Sequence, residues 1–529
     1  MSQVKLDGLR GRIAGNAAIV MAAFLGSKLT GLVRQVLIAR TFGTGPEMDA
    51  YYAAFNVPDL LFTLISGGAL ASAFIPVLAG YFARHDPEEG WTLASTVLNL
   101  VLLAAAALAM VTALAAPILV RTTVAPGFAP EIQTLTAQLM RLILFSTVIF
   151  AASGVLTGIL HTHQSFLLPA LAPLLYDVGI IAGALFLAAP LEVFGLAVGV
   201  VAGALLHLGI QVPGLIRLRA RWQPTIHLRH PSLGRVLVLM GPRILDMGVF
   251  QLNLLVTTNL ASRLARGSVS ALNFGWMLMQ VPETIIGSAI ATAAFPTLAA
   301  LAARGNSNDF RATLSGITRA ILVLAIPASL GLILLGRPAV ELLFQRGAFG
   351  IESTEMVLFA LRFYALGLVS HSVLEIATRS FFAREDTLTP LIVAIGGFLA
   401  YLLLAICWRG WLAHGGLALA NSTAITLEVL ALFWIARRRG VGLDVASVLR
   451  CAGRTTLATA IMGLALLGFL QFQHGARSWV LALGGGGLAL VIFVAAAAAL
   501  GVEEVRGLLQ WVLRSRPLQE ARPDPLPGK

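Results

Sequence analysis

Two cations fall inside the first apolar stretch of this chain. Lys28 and Arg34 stand in Ser27-Lys28-Leu29-Thr30-Gly31-Leu32-Val33-Arg34-Gln35. Charges at membrane depth are costly and normally face a bundle interior or a wet cavity. Six residues apart on a helix, the two side chains are offset by about 120° and flank one face rather than stack on it. Gly31 between them leaves room for close approach. An ammonium and a guanidinium fork in one cavity suit an anion, a phosphate above all. The competing account is structural: Lys28 snorkels to the interface and Arg34 pairs with an internal acid such as Asp59.

The acids divide in the same way. Asp49 opens the second apolar stretch in Met48-Asp49-Ala50-Tyr51-Tyr52, where a carboxylate caps a helix and complements its dipole. Asp59 follows Pro58 and Glu283 follows Pro282, so each could cap a helix that restarts after its proline. Arg243 and Asp246, three apart, share a helix face and could pair. Alternatively Asp246 ligates a coupling cation, with Asp386 as a second candidate. Asp177, Arg141, Arg362, Glu375 and Glu428 are further candidates for burial, each with a structural role expected. No P-loop and no zinc-type helix motif is present. Cys407 and Cys451 are isolated packing residues. No catalytic residue and no organic cofactor is expected, and no metal is assigned.

These residues sit in a chain that is 58% hydrophobic and only 12% charged, with a mean hydropathy of +0.86. A soluble chain carries about 25% charged residues. Repeated near-charge-free runs of about 20 residues can each cross a bilayer as a helix. Their continuity excludes the alternating pattern of a β-barrel. The expected fold is an all-α polytopic membrane protein with about 14 spans. They fall near 13–40, 49–80, 92–120, 133–160, 167–189, 193–216, 236–262, 269–302, 313–336, 354–380, 388–408, 415–436, 452–472 and 479–500. No cleavable signal peptide is expected.

The chain also repeats itself. Ile75-Pro76-Val77-Leu78 running to Arg84 returns as Phe295-Pro296-Thr297-Leu298 running to Arg304; Met140-Arg141 returns as Leu361-Arg362, and Pro169 as Pro390. The spacing is about 220 residues throughout. Six spans per copy is an even number, so both copies enter the membrane in the same direction, as a parallel repeat. That gives an N-lobe (13–216), a linker (217–235), a C-lobe (236–436), an accessory pair of spans (437–500) and an amphipathic, then disordered tail (501–529). Cations gather before span 1 in residues 1–12, at Arg217–Arg235, at Arg437–Arg439 and in the tail. Both termini are therefore expected in the cytoplasm. The net charge of +12 follows this alternate-loop pattern, which argues against a nucleic-acid partner.

At this point a resemblance is specific. Gly31-Leu32-Val33-Arg34, Phe42-Gly43-Thr44-Gly45, Met48 to Phe55 and Ala73-Phe74-Ile75-Pro76 carry it in the first half. Ala289 to Pro296, Arg346-Gly347-Ala348-Phe349 and Phe381 to Pro390 carry it in the second. The chain resembles the MurJ (MviN) family of lipid II flippases, within the multidrug/oligosaccharidyl-lipid/polysaccharide exporter superfamily, over residues 10–500. The resemblance implies a two-lobed, 14-helix carrier in the bacterial cytoplasmic membrane. Such a carrier flips lipid II, an undecaprenyl-diphosphate-linked muropeptide, to the outer leaflet by alternating access. It implies coupling to Na+, H+ or the membrane potential, and a lipid-tail groove at the accessory spans. It places substrate contacts on Lys28, Arg34 and Asp49. Where the family often carries cations, this chain has Phe62 and Thr63 in span 2, and Trp276 and Met277 in span 8. Two alternatives stand beside lipid II transport. One is a flippase for another polyprenyl-diphosphate-linked glycan. The other is a non-transporting scaffold for wall-synthesis enzymes.

Overall fold

A computed structural model describes Ala23 and residues 26–65, 68–228, 230–473 and 475–514. Most of the cytoplasmic N-terminus and tail expected from the sequence lies outside these residues. So do the side chains of Arg243 and Asp246.

The fold is all-helical over the described residues, and the described parts of the expected segments are largely helical, the second of them divided between two helices. Helix α1 covers 26–42. It is followed by α2 (Pro46–Ile65), α3 (Gly68–Ala83), α4 (Pro87–Leu119), α5 (Pro130–Thr162), α6 (Leu167–Ala182), α7 (Ala188–Leu191), α8 (Val193–Gly209) and α9 (Val212–Arg217). The second half runs α10 (Pro231–Ala261), α11 (Ser268–Glu283), α12 (Ala289–Ala303), α13 (Ser307–Leu343), α14 (Ile351–Phe382) and α15 (Leu388–Arg438). The chain closes with α16 (Val445–Phe472), α17 (Gly485–Ala499) and α18 (Glu503–Arg514). Among the described residues, ten helical segments are long and apolar enough to cross a membrane. One of them, the 51-residue α15, is broken at Ala413 (φ 44°, ψ −130°), between the two spans expected there.

Local chemistry sets the ends. Asp86 caps α4 by accepting from Glu89 N, with Pro87 in the first turn, where its missing N–H is no loss. Asp444 accepts from Ser447 N to cap α16. Neither Pro58 nor Pro282 breaks its helix. α2 runs through Pro58, and α11 passes after Pro282 through a π-helical turn, Thr284–Ser288, directly into α12. The restart caps expected at Asp59 and Glu283 therefore do not form; after Pro282 the wider turn absorbs the lost hydrogen bond without ending the helix. Glu283 instead accepts from Ser288 Oγ at 3.4 Å.

The repeat is visible in the elements. α3 ends at Ala83 and α12 at Ala303; α5 begins at Pro130 and α14 at Ile351; α6 begins at Leu167 and α15 at Leu388. Each pair is about 220 residues apart.

The helices form two compact units. The first holds the chain up to Gly275 with Leu343–Ala360 and Ala394–Ala420; the second holds Trp276–Leu342, Leu361–Val393 and the remainder from Asn421. In the first unit α5 packs on α2, α4 and α8, and α10 lies against α2 and α3. Phe74, Leu78, Leu93, Leu139 and Met140 are fully enclosed in its core. In the second unit α16 packs on α17 around Met462, Leu466 and Phe493, and Arg319 fastens α18 through Glu504 at 2.9 Å. Leu114, Phe186 and Leu464 are more than 70% exposed, which suits lipid rather than water.

Candidate functional site

α1 and α6 meet at a charged cluster in the first unit. Arg34 Nη1 donates to Asp177 Oδ1 at 2.7 Å. Thr30, one turn earlier on α1, donates its hydroxyl to Asp177 Oδ2 at 3.0 Å. Thr30 and Arg34 are i and i+4 and so lie on one helix face, and the carboxylate spans both. Asp177 is buried, while the Arg34 side chain keeps 23% of its surface exposed. Among the described residues, Nη1 alone of the guanidinium nitrogens has a protein acceptor. The acid that meets Arg34 is therefore Asp177 and not Asp59, which stands exposed on α2. Lys28 is exposed on α1.

The position of Asp177 is set by glycines. A Cβ on Gly179 would lie 2.3 Å from Gly203 Cα, one on Gly183 2.5 Å from Gly195 O, and one on Gly203 2.5 Å from Tyr176 O. The backbones of α6 and α8 thus touch directly, through Gly-x3-Gly spacings on both helices. Helices in lipid associate by this kind of close packing rather than by a hydrophobic drive. The spacing was legible in the sequence and is the signal that would have ranked Asp177 above the other buried acids.

Asp49 lies elsewhere and is fully engaged. Its Oδ2 accepts from Gly267 N at 2.6 Å; its Oδ1 accepts from Ser270 N at 2.7 Å and Ser270 Oγ at 2.8 Å. It sits in the first turn of α2 but caps the N-terminus of α11, whose orphan N–H groups and dipole favour an anion. Around it, loops join through backbone and side-chain hydrogen bonds. Ala348 N donates to Arg40 O at 2.9 Å, and Thr44 Oγ1 to Ser353 Oγ at 2.8 Å. Glycines allow the approach. A Cβ on Gly43 would come within 2.5 Å of Ala348 O, on Gly347 within 2.4 Å of Arg40 O, on Gly267 within 2.4 Å of Thr44 O, and on Gly127 within 2.6 Å of Ser262 O. Gly43, Gly267 and Gly347 also take positive φ, near 60–85°, a region other residues enter only with strain.

The neutral positions are well packed. Phe62 meets Phe150 at 5.8 Å between centroids, and Thr63 accepts from Gln251 Nε2 at 3.2 Å. In the second unit Trp276 packs edge-on against Tyr364 and His371. Arg379 pairs with Glu375, one turn before it, and reaches Thr292 Oγ1 at 3.2 Å. Arg141 Nε donates to Ala113 O at 2.9 Å.

Of the two expected cation-coupling acids, Asp246 lies outside the described side chains. Asp386 stands at the start of α15, where it accepts from Thr389 N at 2.9 Å and Thr389 Oγ1 at 2.6 Å, and pairs with Arg439. Burial pushes its pKa up, but the bonds from Thr389 and the Arg439 guanidinium outweigh this and hold it below the ordinary carboxylate value. Asp386 thus serves a loop-and-cap role in this conformation. No three His, Cys, Asp or Glu side chains gather as metal ligands among the described residues.

A duplicated bundle of membrane-length helices with a charged cluster on its first helix is an architecture that suits a polytopic carrier. Comparison with known proteins gives the family. The sequence model of the lipid II flippase MurJ matches residues 38–483, and the chain belongs to that family. The lipid II flippase MurJ of Burkholderia cenocepacia is 35% identical over 423 residues, 78% of this chain and 82% of that protein. The probable lipid II flippase MurJ of Rhizobium meliloti is 32% identical over 466 residues, 85% of each. A solved lipid II flippase MurJ in an inward closed conformation superposes with a TM-score of 0.80 at 25% identity, covering 93% of this chain and all of that one. An inward-facing MATE family multidrug transporter of the MOP superfamily shares the fold at 18% identity, with a TM-score of 0.68 over 78% of this chain and 94% of that one.

Proposed function

We propose that this chain flips lipid II from the inner to the outer leaflet of the bacterial cytoplasmic membrane by alternating access. The observation that carries the reading is Arg34. It is a guanidinium on α1, inside the first span expected from the sequence, held by one nitrogen and still part-exposed, in a chain similar to lipid II flippases over most of its length. Arg34 would grip the diphosphate through its remaining N–H groups, with Lys28 as a second, point-like cation. The two lobes, 13–216 and 236–436, would rock between states like those in which superfamily members have been solved, inward-facing and outward-facing. Both termini lie in the cytoplasm on this reading.

Asp49 works as a latch on α11, holding one end closed, rather than as a direct substrate ligand. Coupling to Na+, H+ or the membrane potential biases one state through differential affinity, with Asp246 the candidate on α10. Wall-synthesis enzymes are its partners on this reading.

The test is rescue of a bacterium whose own lipid II flippase can be switched off. The parent chain should restore outer-leaflet lipid II, and a correctly inserted Arg34→Ala should not. No rescue by an inserted parent would sink the lipid II reading. It would favour the second one, a flippase for another polyprenyl-diphosphate-linked glycan, which fits the aromatic packing at Phe62 and Trp276 where cations are common in the family.

A further inference from the structure

We infer that Asp177 is the internal counter-ion that stands in for the substrate's phosphate on Arg34 whenever the carrier is empty. The inference rests on the functional reading above and concerns the same site. An arginine in a membrane helix with no anion beside it is costly. A carrier must nevertheless return without cargo, so something has to neutralise Arg34 on that half of the cycle.

The geometry suits an exchange rather than a permanent pair. Asp177 holds Arg34 by one nitrogen only, which leaves the guanidinium edge that a phosphate can engage bidentately. A two-pronged, charge-assisted contact is the stronger one, so a diphosphate can take Arg34 from the carboxylate. Asp177 does not become an orphan when this happens, because Thr30 still donates to its other oxygen at 3.0 Å. Nor can it follow Arg34, because α6 is pinned to α8 through Gly179, Gly183 and Gly203. Asp177 is therefore a positioning residue. It stabilises the empty state and competes with the ligand.

The test measures binding and turnover separately on the full-length chain. Undecaprenyl diphosphate is the binding probe, and lipid II flipping in proteoliposomes is the transport assay. Asp177→Asn removes the competitor, so it should bind the probe roughly tenfold more tightly, the scale of one charge-assisted bond. It should also flip lipid II more slowly, because the empty return is impaired. Asp177→Glu keeps the charge and should stay near the parent in both. Thr30→Val removes the partner that Asp177 retains in the loaded state, so binding should weaken at unchanged thermal stability.

A merely structural Asp177 would lose binding and transport together; that result, or unchanged binding in Asp177→Asn, overturns the inference. If Asp177→Asn does not insert, Thr30→Val decides: weaker binding supports the exchange and unchanged binding overturns it. A parent chain that binds undecaprenyl diphosphate but flips no lipid II would sink the lipid II reading and leave the exchange standing on its binding arm. Arg34→Ala that binds the probe as well as the parent would overturn the exchange itself.

Discussion

The two copies of the repeat agree in one region and part in another. Where the loops meet around Asp49, equivalents face each other across the duplication. Asp49 bonds Ser270, its own counterpart about 220 residues on. Gly127 lies against the Ser262–Arg263 backbone of the second copy, and its counterpart Gly347 lies against Arg40 of the first. At the charged cluster the copies differ. Positions matching Arg34 are Leu254 or Leu255, and those matching Asp177 are Gly397 or Phe398. The loop contacts around Asp49 draw on both copies, whereas the Arg34–Asp177 pair has no charged equivalent at the matching positions of the second copy.

The largest effect should come from breaking the reciprocity. Gly127→Val and Gly347→Val each drive a side chain into backbone that a Cβ alone would approach within 2.4–2.7 Å. Overpacking of this kind costs about 1–3 kcal/mol, and here it falls on the closed state. Each variant should lose most complementation, and cysteines placed beside the latch should become labelled from outside. Equal labelling in parent and variants would show that these contacts do not close the protein.

Next is Asp49→Ala, which strands the Gly267 and Ser270 N–H groups at a buried helix end. Losing a charged acceptor there costs about 1–3 kcal/mol, so the same labelling should rise by roughly tenfold or more. Asp49→Asn keeps one acceptor oxygen and should fall between. If Asp49→Ala instead lowers substrate affinity with no change in labelling, Asp49 is a ligand and the latch account fails.

Gly199→Val tests the other region. Its Cβ would sit 2.9 Å from Gly179 O, so α6 should shift and carry Asp177 away from Arg34. The expected result is a loss of flipping like that of Arg34→Ala, with insertion retained. Normal flipping would detach the α6–α8 contact from the site.

The smallest effect concerns Asp386. Its folded pKa lies below the unfolded value, so its contribution is present above the unfolded pKa, about 3.9. It is lost as the pH falls through the folded one. Thermal stability at neutral pH should drop slightly in Asp386→Asn, and the difference from the parent should vanish once the pH has fallen through the lowered folded pKa. Loss of transport in that variant would make it more than a cap.

Hydropathy made the helices legible, since runs of membrane length leave few alternatives. Even the break at Ala413 falls in the gap expected between residues 408 and 415. Partnerships were less legible. Asp49 reads in sequence as a cap on its own helix but caps one more than 200 residues away. Asp177 was visible as a buried acid, yet nothing local assigns it to Arg34 over Asp59. The glycine spacing that fixes α6 on α8 is written in the sequence, but the meeting of α6 with α1, more than 140 residues earlier, is not. Pro282 was misleading in the same direction: a π-helical turn accommodates what a local rule treats as a stop.

The glycine contacts have an environmental consequence. On the proposed orientation they face the cell exterior, where the cell does not set ionic strength. Surface ion pairs there would weaken as salt rises. Contacts between amide, carbonyl and Cα atoms carry no net charge to screen, so a seal built from them keeps its grip in dilute and saline surroundings alike.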